Sequence, residues 1–150
     1  MSTLVTGLFV VQVLVGGYMF SYVLGAGQKS SNARATRIPD PVAVAHPLAA
    51  GVTVVSWLIH LASGERAFAW ICVGLLLATA AGGLFMAFRT FTGGPTVDRP
   101  GRRQGVLDPG DPAEIRVAEK QIPTPVIVLH GATFLLLLVG TALVASGVLD

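Results

Sequence analysis

Charged and apolar positions are segregated along this chain. Four stretches, 3–25, 43–62, 67–88 and 124–149, contain no Asp, Glu, Lys or Arg. Each meets the length of about 20 residues that a bilayer core demands of a helix. Membrane strands would alternate in polarity, and these runs do not. The pattern predicts an all-α fold: a four-helix transmembrane bundle in one domain, 1–150, with a long loop between helices three and four.

Composition agrees. The chain has 150 residues, of which 53% are hydrophobic and only 12% charged, against about 25% charged in soluble domains. Its mean hydropathy is +0.71. The first apolar run has no Lys or Arg ahead of it and exceeds a usual signal-peptide core, so it reads as a permanent helix. The single cysteine, Cys72, leaves no internal disulfide or Cys-pair redox centre.

The sequence pI near 9.1 reflects topology, not nucleic acid. Nine of the ten Lys and Arg fall in the 26–42 and 89–123 connections, and only Arg66 lies in the other turn. Lys and Arg mark cytoplasmic loops. The expectation is a multi-pass plasma-membrane protein with both termini outside and a cytoplasmic loop over 89–123. Helices two and four then start from the same side.

That loop is rich in Gly and Pro and reads as irregular chain. Near its end Asp111, Pro112 and Glu114 are helix-start signals, so a short surface helix is expected over about 112–120. Within the helices, Gly17, Ser21 and Gly25, and again Gly74, Ala78 and Gly82, recur every four residues. Such stripes let helix backbones approach closely. No internal repeat stands out along the chain.

Three histidines lie inside the apolar runs, and a side chain that can carry charge in hydrocarbon is usually functional. His46 and His60 are fourteen positions apart in the second run. At 100° and 1.5 Å per residue they project about 40° apart and are separated by roughly 21 Å along the axis. Ala49, Ala50, Thr53 and Trp57 share their stripe. His130 lies near the start of the fourth run, at a depth similar to that of His46. Two neutral imidazoles facing each other across a bundle can ligate a haem iron axially. Gly131 would relieve crowding beside a macrocycle, and Arg89 is a candidate partner for a propionate. The same imidazoles also suit a structural role, hydrogen-bonded to neighbouring helices or to the interface.

The spacing of His46 and His60, with His130 opposite, resembles membrane b-type cytochromes, in which histidines thirteen or fourteen apart on one helix serve two haems. The resemblance implies one haem b, bound by His46 and His130. A second site would need a partner for His60, and the corresponding place in helix four holds Leu143 or Val144; Gln12 and Cys72 are the polar candidates at similar depth. A looser likeness, carried by "HPLAAG", the glycine-rich third run and "PTPVIVLHGATFLLLLVGTAL", is to small four-helix integral membrane proteins of actinobacteria.

Several classes drop out. No acidic residue lies inside any apolar run, as a small multidrug exporter or a proton pump would need. There is no HExxH motif and no nucleotide-binding glycine loop. Two expectations remain. One is a haem-b electron-transfer module exchanging electrons with quinone or a soluble partner. The other is a non-catalytic accessory or assembly subunit, bound to other membrane subunits or to copies of itself.

Overall fold

The computed structural model describes residues 2–25, 36–92 and 117–148. Four helices dominate: α1 (Ser2–Gly25), α2 (Asp40–Ser63), α3 (Arg66–Thr92) and α4 (Thr124–Ala145). All four are long and apolar enough to cross a membrane. Most of the expected 89–123 loop lies outside the described residues. So do positions 112–116 of the short helix expected there. Its remainder is a 3-10 turn at Ala118–Gln121, and Ala118 and Glu119 in that turn are buried rather than on the surface.

Local chemistry explains the helix ends. Pro39 and Pro123 stand at the N-caps of α2 and α4 with nearly the same backbone angles, φ −59°, ψ 138° and φ −58°, ψ 128°. Each is followed by a second proline in the first turn, where a missing N–H removes no helical bond. Gly64 ends α2 in the left-handed region at φ 72°, the usual glycine stop. Gly147 does the same just beyond α4 at φ 71°, so that helix ends at Ala145, short of the 149 that hydropathy suggests. Conversely, α3 continues past the apolar run through Arg89 to Thr92.

The helices pack as a ring in chain order. The contacts run α1–α2, α2–α3, α3–α4 and α4–α1, with α2·α3 and α1·α4 the most extensive. Thus α2 and α4 lie diagonally across the bundle. Neighbours are antiparallel: Thr6 near the start of α1 meets Trp57 near the end of α2, and Gln12 of α1 meets His130 early in α4. α2 and α4 therefore run in the same direction.

This arrangement exposes a repeat that the linear reading does not find. Residues 38–46 read I-P-D-P-V-A-V-A-H and residues 122–130 read I-P-T-P-V-I-V-L-H. The shared Ile, prolines, valines and histidine build the same helix start twice. Each is preceded by a helix carrying a glycine pair, Gly16-Gly17 in α1 and Gly82-Gly83 in α3. The matching stretch is too short to stand out in sequence. It becomes visible because both copies take the same cap geometry at the same end of diagonal helices.

Two apolar clusters hold the bundle. One gathers Val5, Phe9, Trp57, Cys72, Leu76, Leu137 and Val144. Its centre is Trp57, 1% exposed, whose indole N–H donates to Thr6 Oγ1 at 2.9 Å. The other, at the opposite end, gathers Val23, Ile38 and Ala43 with Phe20, Val42 and Met86 against them. Most remaining large apolar side chains face outward, among them Leu14, Leu84, Phe88 and Leu135.

The small-residue stripes behave differently from expectation. A Cβ added at Gly17 or Gly74 would meet nothing within 4 Å, so these glycines do not bring helices together. Those that do are Gly16, Gly82, Gly83 and Gly140. Only Gly82 belongs to an expected stripe, because spacing along one helix does not say which face meets a neighbour.

Candidate functional site

Three half-buried polar side chains, His46, His130 and Gln12, gather near the start of α2 and α4. His46 and His130 are each the seventh residue of their helix, six after Asp40 and Thr124. At 1.5 Å per residue both lie about 9 Å from the helix start. Each imidazole rests on a glycine of the helix it packs against. For His46 the glycines are on α3, where a Cβ at Gly83 would come within 3.2 Å of Cε1 and one at Gly82 within 3.4 Å of Nδ1. For His130 it is on α1, where a Cβ at Gly16 would come within 3.1 Å of Cε1. Gly82 and Gly83 thus make room for the His46 ring, and Gly16 for that of His130.

These contacts pair crosswise. The histidine of the first repeat rests on the glycine pair of the second, and the histidine of the second on that of the first. A two-fold rotation about the bundle axis would produce this pattern. The two imidazoles come from the diagonal helices α2 and α4. No hydrogen bond joins them among the described residues.

Their hydrogen bonds differ. His46 Nδ1–H donates to the Thr79 carbonyl at 3.1 Å, which leaves Nε2 with the lone pair. This hydrogen bond fixes the tautomer and orientation of the ring. His130 is held by a side chain. The Gln12 amide N–H donates to His130 Nε2 at 3.3 Å, and Thr133 Oγ1–H donates to Gln12 Oε1 at 2.6 Å. With Nε2 accepting, the proton of the neutral ring sits on Nδ1. That Nδ1 is buried and has no partner.

His60 stands apart from this level. It is buried, its Nδ1–H donates to the Glu65 carbonyl at 3.0 Å, and its ring lies 5.1 Å from that of Trp57. It braces the turn from α2 to α3. Neither candidate partner reaches it: Gln12 is at the level of His130, and Cys72 Sγ–H points to the Thr53 carbonyl at 3.5 Å. Thr53, Trp57 and His60 on the predicted stripe are all buried. A Cβ at Gly131 would meet no protein atom within 4 Å.

Arg89 lies at the end of the bundle where α2 and α4 begin. Its Nε–H donates to the Arg37 carbonyl at 3.2 Å, and its guanidinium carbon is 6.0 Å from the Phe85 ring centroid. The Arg37 backbone N–H in turn donates to Glu119 Oε1. The segment before α2 is thereby tied to the segment before α4. Glu119 is 1% exposed, a burial that the mixed charges around it in sequence give no sign of. Gln12 was legible as a polar residue in an apolar run; its partner was not.

Among the described residues no group of three or more His, Cys, Asp or Glu side chains is gathered for a metal ion. Two protein nitrogens alone suit a metal whose other ligands come from a macrocycle. No family model, curated protein or solved structure matches the chain.

Proposed function

We propose that this protein is a haem-b electron-transfer module of the plasma membrane, with the iron held between His46 and His130. The observation that carries the reading is the pair of repeat-related imidazoles. They come from diagonal helices at one depth, and each is seated on glycine of an intervening helix. A single group near the two-fold axis would meet equivalent side chains from both halves. His46 and His130 would hold the haem, which would supply a one-electron couple.

The residues fit such a group with one adjustment. His46 already offers Nε2, oriented through Thr79. His130 would turn or exchange its Gln12 bond so that a nitrogen lone pair faces the metal, and its other nitrogen has no competing partner. Arg89 remains the candidate for a propionate. His60 is outside this site. On this reading the Arg89 end is cytoplasmic, both termini face outward, and electrons pass to or from quinone or a soluble partner on that side.

The Gln12–His130–Thr133 chain favours a second reading. It already engages one nitrogen of His130 and joins α1 to α4, much as His46–Thr79 joins α2 to α3. Here the histidines are structural links, and the protein is a non-catalytic accessory or assembly subunit of a larger membrane complex. An absorption spectrum separates the two. A Soret band with a reduced α-band in purified protein supports the module, and colourless protein from haem-sufficient cells supports the subunit. Orientation has its own test. With Cys72→Ser as background, Ser30→Cys and Gly105→Cys should be shielded from an impermeant thiol reagent in intact cells, and Ser63→Cys should react. Labelling of Gly105→Cys from outside would invert the topology.

A further inference from the structure

The end of the bundle where α2 and α4 begin is fastened unequally in its two halves. Arg37-Ile38-Pro39 leads into α2, and Gln121-Ile122-Pro123 leads into α4. The first segment is tied to α3, because Arg89 Nε–H donates to the Arg37 carbonyl at 3.2 Å. With the glycine pairs in register, the residue of α1 that corresponds to Arg89 is Val23, which has no side-chain donor. Gln121 corresponds to Arg37, and its Nε2 is buried without a partner among the described residues. The 117–122 segment packs on α1 and is held by Glu119 instead, whose Oε1 accepts the Arg37 backbone N–H.

Keeping that tie buried is costly. Glu119 is 1% exposed, yet its Oε2 has no partner among the described residues, and neither has the buried Arg37 Nε. Buried polar groups are nearly always satisfied, and one left unsatisfied carries its full desolvation cost. Moving 117–122 outward would break the Glu119 bond to the Arg37 N–H and return all three orphan atoms to water. The apolar side chains of Val117, Ala118 and Ile122, all buried, oppose this movement. A segment balanced in this way is of the kind that opens locally while the rest of the fold stays closed.

The apolar cluster of Val23, Ile38 and Ala43, with Phe20 and Met86 against it, lies between this end and the imidazoles. Phe20 is four residues beyond Gly16, Met86 three beyond Gly83, and Ala43 three before His46. These three side chains therefore stand about one helical turn, roughly 5 Å, nearer the end than the imidazole seats. Ile38 joins that layer directly to the Arg37 tie.

We propose that residues 117–122 are a lid over the imidazole level, closed by the Glu119–Arg37 contact and opened to admit water-borne groups toward His46 and His130. The lid is inferred from the ties at this end and requires neither the haem reading nor the accessory-subunit reading.

The test is thiol accessibility in the purified full-length protein in lipid nanodiscs. The probe is a positively charged methanethiosulfonate, whose approach is not favoured by loss of the Glu119 charge. In a Cys72→Ser background, Ala43→Cys reports from the apolar layer, and Ala69→Cys, buried near the start of α3, reports from the opposite end. Ala43→Cys should label more slowly than the exposed Ser63→Cys. Glu119→Ala removes the acceptor and should speed labelling of Ala43→Cys about tenfold, the factor expected for losing one hydrogen bond to a charged group. Glu119→Gln keeps an acceptor for the Arg37 N–H and removes the buried charge, so it should label no faster than the parent. In both variants Ala69→Cys should stay within about threefold of its parent rate, since opening is confined to one end. An Ala43→Cys rate equal to that of Ser63→Cys, or one unchanged by Glu119→Ala, would overturn the lid. So would a Glu119→Gln rate matching that of Glu119→Ala, or a parallel rise at Ala69→Cys, which would mean that the whole bundle had loosened.

Discussion

The two histidine sites are built from the same repeated helix start, yet they are anchored by different means. His46 is fastened to a backbone carbonyl, that of Thr79. His130 is fastened to a side chain, Gln12, itself aligned by Thr133. When the glycine pairs are superposed in sequence, Gln12 of α1 corresponds to Ala78 of α3, which has nothing to donate. A backbone anchor survives almost any substitution at its own position, whereas a side-chain anchor can be removed by one. The two halves thus offer similar seats with unequal restraint. His46 is held through the backbone, and His130 only through the Gln12 side chain.

The largest expected effect breaks both sites at once. His46→Ala and His130→Ala should each remove or strongly alter the Soret band, since each leaves an iron with one protein ligand. His60→Ala should leave that spectrum nearly unchanged, because His60 is tied to Glu65 about 21 Å along the helix from His46. Equal loss in all three variants would mean that folding, not ligation, had been disturbed.

Next in size is overpacking at the glycine seats. Gly16→Val and Gly83→Val put a branched side chain where even a Cβ comes within 3.1 Å or 3.2 Å of an imidazole. Overpacking of this kind costs about 1–3 kcal/mol, read as a fall in unfolding free energy in detergent. Gly17→Val, one position away with nothing within 4 Å of its Cβ, should fall within about 0.5 kcal/mol of the parent, as surface substitutions do. A similar loss at Gly17 would show that its face is covered, for example by a partner or a second copy.

The smallest effect sharpens the contrast between the anchors. Gln12→Leu removes an interhelical hydrogen bond, worth about 0.6 kcal/mol on average and up to about 1.7 kcal/mol between membrane helices. Thr79→Val should have the smaller effect, because the carbonyl that holds His46 is untouched and, among the described residues, Thr79 Oγ1 bonds within its own helix, to Leu75. If haem is bound, Gln12→Leu should also shift the spectrum less than His130→Ala does. A larger effect from Thr79→Val than from Gln12→Leu would reverse the assignment of strong and weak anchors.

The four helices, their rough bounds and their all-α class were legible in the chain, because hydropathy and length are local properties that each segment carries alone. The common depth of His46 and His130 followed from the same regularity, a fixed rise per residue counted from two helix starts. The inward direction of Thr53, Trp57 and His60 followed from the angular period of one helix. What lay beyond reach were choices between segments far apart in sequence. That Gly16 rather than Gly17 seats an imidazole, that Gln12 partners His130 rather than His60, and that Glu119 is buried against Arg37 are decided by how whole helices rotate against one another. A helix with apolar residues on every side does not declare which face its neighbours will cover. Only the packed bundle selects that face, and with it the short repeat whose two copies come to stand opposite each other.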